Sequence, residues 1–102
     1  MVSKMISKDD VLKTLEEIID PEIGVNIVDL GLIYEIKLDG KKAYVKMTFT
    51  SPACPVGPEL LNQVEDKVAL LGFENVSVEI TFDPPWTPDK MSEKAKASLQ
   101  FM

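Results

Sequence analysis

The 102-residue sequence has no histidine, no arginine and a single cysteine, Cys54. Without histidine, the chain lacks the side chain that most often serves as a general base near neutral pH and as a metal ligand. Without a second cysteine, it can form neither an intramolecular disulfide nor a CxxC redox pair or zinc ribbon. These absences exclude the common cysteine- and histidine-based catalytic and metal sites within one chain.

The charge composition is also one-sided. All 11 basic residues are lysines, and the net charge is −6. Nucleic-acid-binding proteins usually carry a basic face with arginine contacts to phosphates, so we expect no nucleic-acid partner. No run of about 18 apolar residues is present, and the start, MVSKMISKDD, lacks a secretory signal, so we expect no membrane partner. A cytoplasmic, reducing setting is expected, in which a lone thiol stays free.

The hydrophobic pattern predicts a two-layer α+β fold in the order α-β-β-α-β-α, with the helices packed on one small sheet. The predicted helices cover residues 7–19, 58–71 and 92–100, and the predicted strands cover residues 32–38, 43–50 and 76–82. Asp39-Gly40 between the first two strands is a hairpin signal. The second and third strands are joined through a helix, so a parallel, right-handed crossover is expected. The chain is expected to be a single domain, residues 1–102.

Alternation along the predicted strands separates a core face from a polar face. In the first strand, Tyr34 is expected on the same face as Ile36 and Leu38. In the second strand, Thr48 and Thr50 are expected on the polar face, and Ser51 follows. This row of hydroxyls is either simply solvated or lines a pocket shared with the turn that holds Cys54.

Cys54 lies in that turn, in the stretch TSPACP between a predicted strand and a predicted helix. Prolines on both sides restrict the backbone. The helix that follows would direct free N–H groups and its positive end toward the sulfur, which favours the thiolate, the reactive and metal-binding form. Nearby carboxylates oppose this effect. The alternative is that Cys54 is a small buried hydrophobic residue.

Acidic side chains are concentrated in the segment DPEIGVNIVDLG, residues 20–31. Asp20, Glu22 and Asp29, with Asn26 beside them, lie in a rather apolar stretch that has little predicted regular structure. Each acid alone is expected to face water or, for Asp20, to end the first helix at Pro21. As a group they are candidates for a binding loop.

Trp86 is the only tryptophan, and it lies in the stretch DPPWTP, where prolines favour an extended backbone. Two roles are open. Trp86 either covers an open end of the core or serves as an exposed anchor for a partner, since tryptophan is enriched in interface hot spots.

Four segments in this order resemble a known family. They are DPEIGVNIVDLGLIYEI (20–36), TFTSPACP (48–55), the strand at 76–82 and DPPWTPDKMSEKAK (83–96). Together they are similar to the small iron–sulfur assembly domain family that includes PaaD-like and SufT-like proteins and eukaryotic cytosolic iron–sulfur targeting subunits. The resemblance extends from about residue 11 to residue 99.

The resemblance implies the α+β fold of the iron–sulfur cluster assembly type and a role in maturing iron–sulfur proteins. It implies that Cys54 is the functional residue, with Asp20, Glu22 and Asp29 as neighbouring acids. Asn26, Thr48, Thr50, Ser51 and Trp86 are expected to support the site. Some relatives carry a nucleotide-binding ATPase or a zinc-binding tail in addition, and we expect this chain to be the stand-alone domain.

A complete iron–sulfur site needs about four ligands, mostly thiolates, and this chain has one cysteine. We therefore expect no stably bound cofactor, and at most a transient iron ion or iron–sulfur cluster at Cys54 that a partner helps to hold. The expected partners are iron–sulfur assembly proteins and apo client proteins, and the expected state is a monomer or weak homodimer. Two other functions stay open: a protein-interaction module with a structural cysteine, or an enzyme with a reactive thiol and Asp20 or Glu22 as base.

Overall fold

The elements of the fold follow from a computed structural model that describes residues 6–50 and 55–99. Three helices and three main strands occur in the predicted order. Two further short strands follow the first helix in the sequence and precede the first strand of the main sheet. The helices are α1 (Lys8–Leu15), α2 (Gly57–Ala69) and α3 (Glu93–Leu99). The strands are β1 (Ile19–Asp20), β2 (Val25–Asn26), β3 (Ile33–Asp39), β4 (Lys42–Met47) and β5 (Asn75–Ile80).

The main sheet has the strand order β3-β4-β5. β3 and β4 pair antiparallel across the hairpin predicted at Asp39-Gly40, where Gly40 has a φ of 59°. β4 and β5 pair parallel, with Val45 opposite Val78, and α2 provides the connection between them. The α+β class and the parallel crossover pairing are confirmed.

The core lies between this sheet and the helices α1 and α2. Two contiguous stripes supply the helix side, Val11 and Leu15 from α1 and Leu60, Val64 and Val68 from α2. The sheet side is the alternating set that the sequence pattern predicts in β4, which is Ala43, Val45 and Met47. Because these residues form one continuous cluster, both helices lie on the same face of the sheet.

α1 is shorter than predicted. Ser7 caps it with a reciprocal hydrogen-bond pair to Asp10, but the helix ends at Leu15 rather than at residue 19. Tighter i→i+3 bonds from Glu17 to Thr14 and from Ile18 to Leu15 close its last turn. The chain then becomes extended before Pro21, which disfavours helical geometry at the preceding residue, and β1 pairs with β2.

Tyr34 does not take the core position predicted for it. The pairing of β3 with β4 shifts by one residue between Ile33 and Glu35, so Ile33 lies opposite the buried Met47. Ile33 packs against the core in this register. A one-residue bulge of this kind turns the extra residue away from its expected face.

The predicted third helix is present, and the segment before it returns across the first half of the chain. A 3₁₀ turn at Pro88–Lys90 precedes α3. The Ser92 N–H donates to the Asp29 carbonyl at 2.7 Å, and Ala95 of α3 is buried. Among the helices that the structure describes, none is long and apolar enough to cross a bilayer.

Candidate functional site

The segment DPE, residues 20–22, forms a tight hairpin turn between β1 and β2. Asp20 lies opposite Val25, and Ile19 lies opposite Asn26. The Asp20 carbonyl accepts the Gly24 N–H at 2.7 Å, and Gly24 has a φ of 81°, a backbone conformation that glycine adopts readily. We call residues 20–24 the DPE turn.

The Asp20 carboxylate is fully buried within this turn. Its Oδ1 accepts the Glu22 N–H at 2.8 Å. Its Oδ2 is buried and has no hydrogen-bond partner among the atoms that the structure describes. A buried carboxylate oxygen without a donor or a cation costs free energy, and such exceptions are rare in folded proteins. Asp20 is therefore held in place with one oxygen that no described donor satisfies, while Glu22 is exposed at the rim of the turn.

Asn26 and Asp29 stabilise the following loop through each other. The Asn26 Oδ1 accepts the N–H groups of Val28 at 3.0 Å and of Asp29 at 2.8 Å. Its Nδ2 donates to the Asp29 Oδ2, also at 2.8 Å. This is an Asx-type turn closed by a side-chain pair. Asp29 thus differs from Asp20, because the Asn26 side chain already donates a hydrogen bond to the Asp29 carboxylate and the pair closes the loop.

Trp86 docks on the same loop from the C-terminal side. Its indole Nε1–H donates to the Leu30 carbonyl, 2.6 Å away, and the half-buried ring packs against the core cluster. Of the two roles left open for Trp86, the structure places the side chain in the one that covers the core. Gly31, the residue after Leu30, also lies close to the C-terminal segment. A Cβ at this position would collide with the Lys90 carbonyl, and the φ of Gly31 is 80°.

Thr48 is not on a polar strand face, so that prediction was wrong. β4 ends at Met47, and Thr48 is fully buried, with its N–H donating to the Leu32 carbonyl at 2.9 Å. Burial raises the pKa of Tyr34, and a hydrogen-bonding interaction with the Thr48 side chain opposes that rise. Thr48 is thus an interior residue whose hydroxyl donates to the Phe49 carbonyl at 3.4 Å. Thr50 is half-buried in a bend after the strand.

Two of the candidate residues, Ser51 and Cys54, lie outside the described residues. Within the part of the chain that the structure does describe, no group of three or more histidine, cysteine, aspartate or glutamate side chains is arranged to hold a metal ion. The described acids alone therefore do not make a metal centre.

Tyr34 is a feature that sequence patterning missed. The bulge directs it to an open groove of about 620 Å³, lined in part by Lys46, Asp83 and Lys90. Its hydroxyl donates to the Pro84 carbonyl at 2.8 Å, and the Lys90 Nζ lies 5.2 Å from the centre of its ring. The alternation gives no signal of a bulge at Tyr34, because it is regular through that residue.

Comparison with known protein families gives a match over residues 8–80 to the iron–sulfur cluster assembly protein family. A Fe-S protein maturation auxiliary factor of Bacillus subtilis, YitW, is 40% identical, and the match covers 90% of this chain and 92% of that protein. The Fe-S protein maturation auxiliary factor SufT of Staphylococcus aureus is 43% identical, with 80% and 96% covered. An iron-sulfur cluster carrier protein of Synechocystis is 32% identical, and the match covers 86% of this chain and 26% of that longer protein.

Solved structures show the same fold. A conserved hypothetical protein of Thermotoga maritima is 42% identical, with a TM-score of 0.83 and coverage of 95% of this chain and 97% of that one. A domain of unknown function from Bacillus anthracis is 33% identical, with a TM-score of 0.87 and coverage of 93% and 92%. With the family model matched over most of the chain, this protein belongs to the iron–sulfur cluster assembly protein family.

Proposed function

We propose that this protein is an iron–sulfur protein maturation factor, acting as a transient carrier or targeting adaptor through Cys54 and the DPE turn. Family membership supports the role, as do the relatives named as maturation auxiliary factors and cluster carriers. The proposal includes the partners expected from the sequence, which are iron–sulfur assembly proteins and apo client proteins in the cytoplasm, and it assigns no turnover chemistry to the chain.

The observation that carries the proposal is the buried, unpartnered Oδ2 of Asp20. A fold that needed Asp20 only to close the hairpin would use one oxygen and would be as well served by an uncharged side chain. Keeping a carboxylate in a buried position at a cost in stability is typical of functional sites. A carboxylate oxygen can ligate iron or accept a hydrogen bond from an N–H group. Because Oδ2 is buried, the proposal requires the DPE turn to open before a cation or the backbone of a docking partner binds there.

The cluster or iron ion is cargo in this proposal, and two proteins share it. Neither the described acids nor the single thiol can complete a set of about four ligands. The remaining ligands would come from the donor or from the apo client. Sharing of this kind makes the bound state transient, because the cargo leaves when the partner supplies the better ligand set.

The experiment compares Cys54→Ala with the wild type in a cell that lacks this protein. The readout is the activity of an iron–sulfur client enzyme at equal levels of the two variants. We expect client activity to stay near the level of the cell without the protein. Full rescue by Cys54→Ala would exclude Cys54 as the working residue, and it would leave the interaction-module function as the better account.

Anaerobic reconstitution with iron and sulfide separates a carrier from an adaptor. Absorption spectroscopy and native mass measurement would be made on the wild type and on Cys54→Ser. A carrier gains an absorbing species that Cys54→Ser lacks, whereas an adaptor that only docks on the client gains none. If both proteins load equally, then Cys54 is not a ligand of the cargo.

A further inference from the structure

β3 is an open edge of the main sheet. The strand order β3-β4-β5 gives it a partner on one side only. No backbone hydrogen bond reaches β3 from its outer side within residues 6–50 and 55–99. An edge strand with unpaired N–H and C=O groups is a template for another strand, unless charge or irregularity prevents the pairing.

Two opposite charges flank the central residue of β3. Glu35 and Lys37 lie on either side of Ile36 and share the solvent face, where their side chains approach to 3.7 Å within one strand. Both side chains remain well exposed, at 43% for Glu35 and 66% for Lys37. We propose that β3 pairs with β3 of a second copy of this chain, antiparallel about Ile36, and that the two sheets join into one of six strands.

The register follows from geometry and charge together. Residues directly opposite each other in an antiparallel pair lie on the same face, so a two-fold axis must pass through a residue rather than between residues. An axis at Glu35 or at Lys37 would place like charges opposite each other. An axis at Leu38 would pair Lys37 with Asp39, but it would carry Glu35 past the end of the strand at Asp39. Only an axis at Ile36 places Glu35 of each copy opposite Lys37 of the other, so the two-fold symmetry creates two such pairs.

The pairing also continues a row of alternating charge across the sheet. Within one chain, Glu79 of β5 lies opposite Lys46 of β4, and Lys46 lies opposite Glu35 of β3. The Lys37 side chain of the second copy would extend this row by one more opposite charge. The solvent face of β3 is thus complementary to itself at the register that geometry and charge favour.

On the other face, the contact would be apolar but small. Half-buried Leu38 lies next to buried Ile36 on β3, and a groove of about 330 Å³ runs from Ile36 to Leu12 and Lys8 of α1. The bulge at Tyr34 limits the regular part of the strand to residues 35–39. An interface of this length falls below about 1,200 Å², in the range of weak association, so the dimer is expected to form at about 10 μM to 1 mM protein.

The test uses two charge-reversed proteins, Glu35→Lys and Lys37→Glu. Each reversal gives residues 35 and 37 of a single protein the same sign of charge, so each alone should dimerise at least about tenfold more weakly than the wild type. When they are mixed, opposite charges face each other again at both symmetric positions. Sedimentation equilibrium at low ionic strength should therefore show a heterodimer in the mixture and monomers in each component.

Asp66→Lys is the matched control, because it makes the same change in net charge as Glu35→Lys on the exposed surface of α2. It should dimerise like the wild type, and circular dichroism should show that all variants fold. The mixed experiment guards against misfolding, since an unfolded component cannot restore the dimer. A wild type that stays monomeric up to about 1 mM, or a mixture with no heterodimer, would overturn the proposal, and in the first case a foreign extended peptide becomes the better occupant of the edge.

Discussion

The DPE turn and the segment that follows it are adjacent in sequence, but the acidic side chains in the two differ in burial and in hydrogen bonding. In the turn, Asp20 is fully buried and one of its oxygens has no partner among the described atoms. In the segment around Asn26, the Asp29 carboxylate accepts a hydrogen bond from a neighbouring amide, and Trp86 bonds to the Leu30 carbonyl. The fold uses the Asp29 carboxylate to close a loop, whereas it only accommodates the second oxygen of Asp20.

This difference matters for reading function from acids in a loop. Asp20 and Asp29 look equivalent in the sequence, since both lie in an apolar stretch and both match the family pattern. The structure gives Asp29 a sufficient structural reason to be there and leaves half of Asp20 unexplained. An unpaired buried oxygen costs free energy. We therefore propose that the DPE turn is the functional part, and that Asn26, Asp29 and Trp86 stabilise the loop that follows it.

The largest expected effect on stability is at Trp86. Trp86→Ala removes the indole packing against the core and the hydrogen bond to Leu30, and we expect a loss of about 2–3 kcal/mol in the free energy of unfolding. Urea denaturation measures it. Leu70→Ala is the control, because Leu70 is 84% exposed and should change stability by less than about 0.5 kcal/mol. A loss at Trp86 no larger than that of the control would mean that the ring is free to serve a partner.

A smaller effect is expected at Asn26. Asn26→Ala removes two acceptor contacts and one donor contact that close the loop, which corresponds to about 1–2 kcal/mol. Chemical denaturation again gives the value, and Asn75→Ala, at an exposed position that begins β5, serves as the comparison. Equal small losses at the two asparagines would contradict the structural role assigned to the Asn26 side chain.

The smallest expected effect is at Thr48, and it is seen best in a titration. Thr48→Val removes the interaction that lowers the pKa of Tyr34, so that pKa should rise further above its ordinary value. Ultraviolet titration in a Tyr44→Phe background isolates the one phenol, because Tyr44 has a raised pKa of its own through its hydrogen bond to Glu79.

The same shift has a consequence for stability. A folded-state pKa above that of the unfolded chain means that the folded protein holds the proton more tightly, so stability falls as the pH rises above about 10. Thr48→Val should make that fall steeper at high pH and change stability by less than about 1 kcal/mol near neutral pH. A pKa of Tyr34 that drops in Thr48→Val would contradict the contact.

The sequence pattern predicted the elements that bury a regular stripe. Alternation in β4 placed Ala43, Val45 and Met47 in the core, and the helical period placed Val64 and Val68 there. These predictions succeed because periodicity records which side chains are buried. The same alternation, continued one residue past the end of β4, predicted that Thr48 lies on the solvent-facing side. That prediction failed because alternation cannot show where a strand ends.

Other features depend on contacts between distant parts of the chain. The tight turn that ends α1 leads into the pairing of β1 with β2, and the bulge at Tyr34 lies in the pairing of β3 with β4. The hydrogen bond from Trp86 to Leu30 joins residues 56 positions apart. No local pattern records such contacts, so the sequence grouped Asp20, Glu22 and Asp29 together, whereas the structure divides them between two turns.

The most direct test of the central claim compares Asp20→Asn with Asp29→Asn in a cell that lacks the wild-type protein. Both changes replace a carboxylate by an amide of nearly the same shape, and the readout is the activity of an iron–sulfur client enzyme, with the unfolding midpoint of each purified variant measured alongside. The account predicts that Asp20→Asn folds with stability within about 1 kcal/mol of the wild type and loses most client activation, whereas Asp29→Asn keeps it. Normal client activation by a folded Asp20→Asn protein would contradict the account.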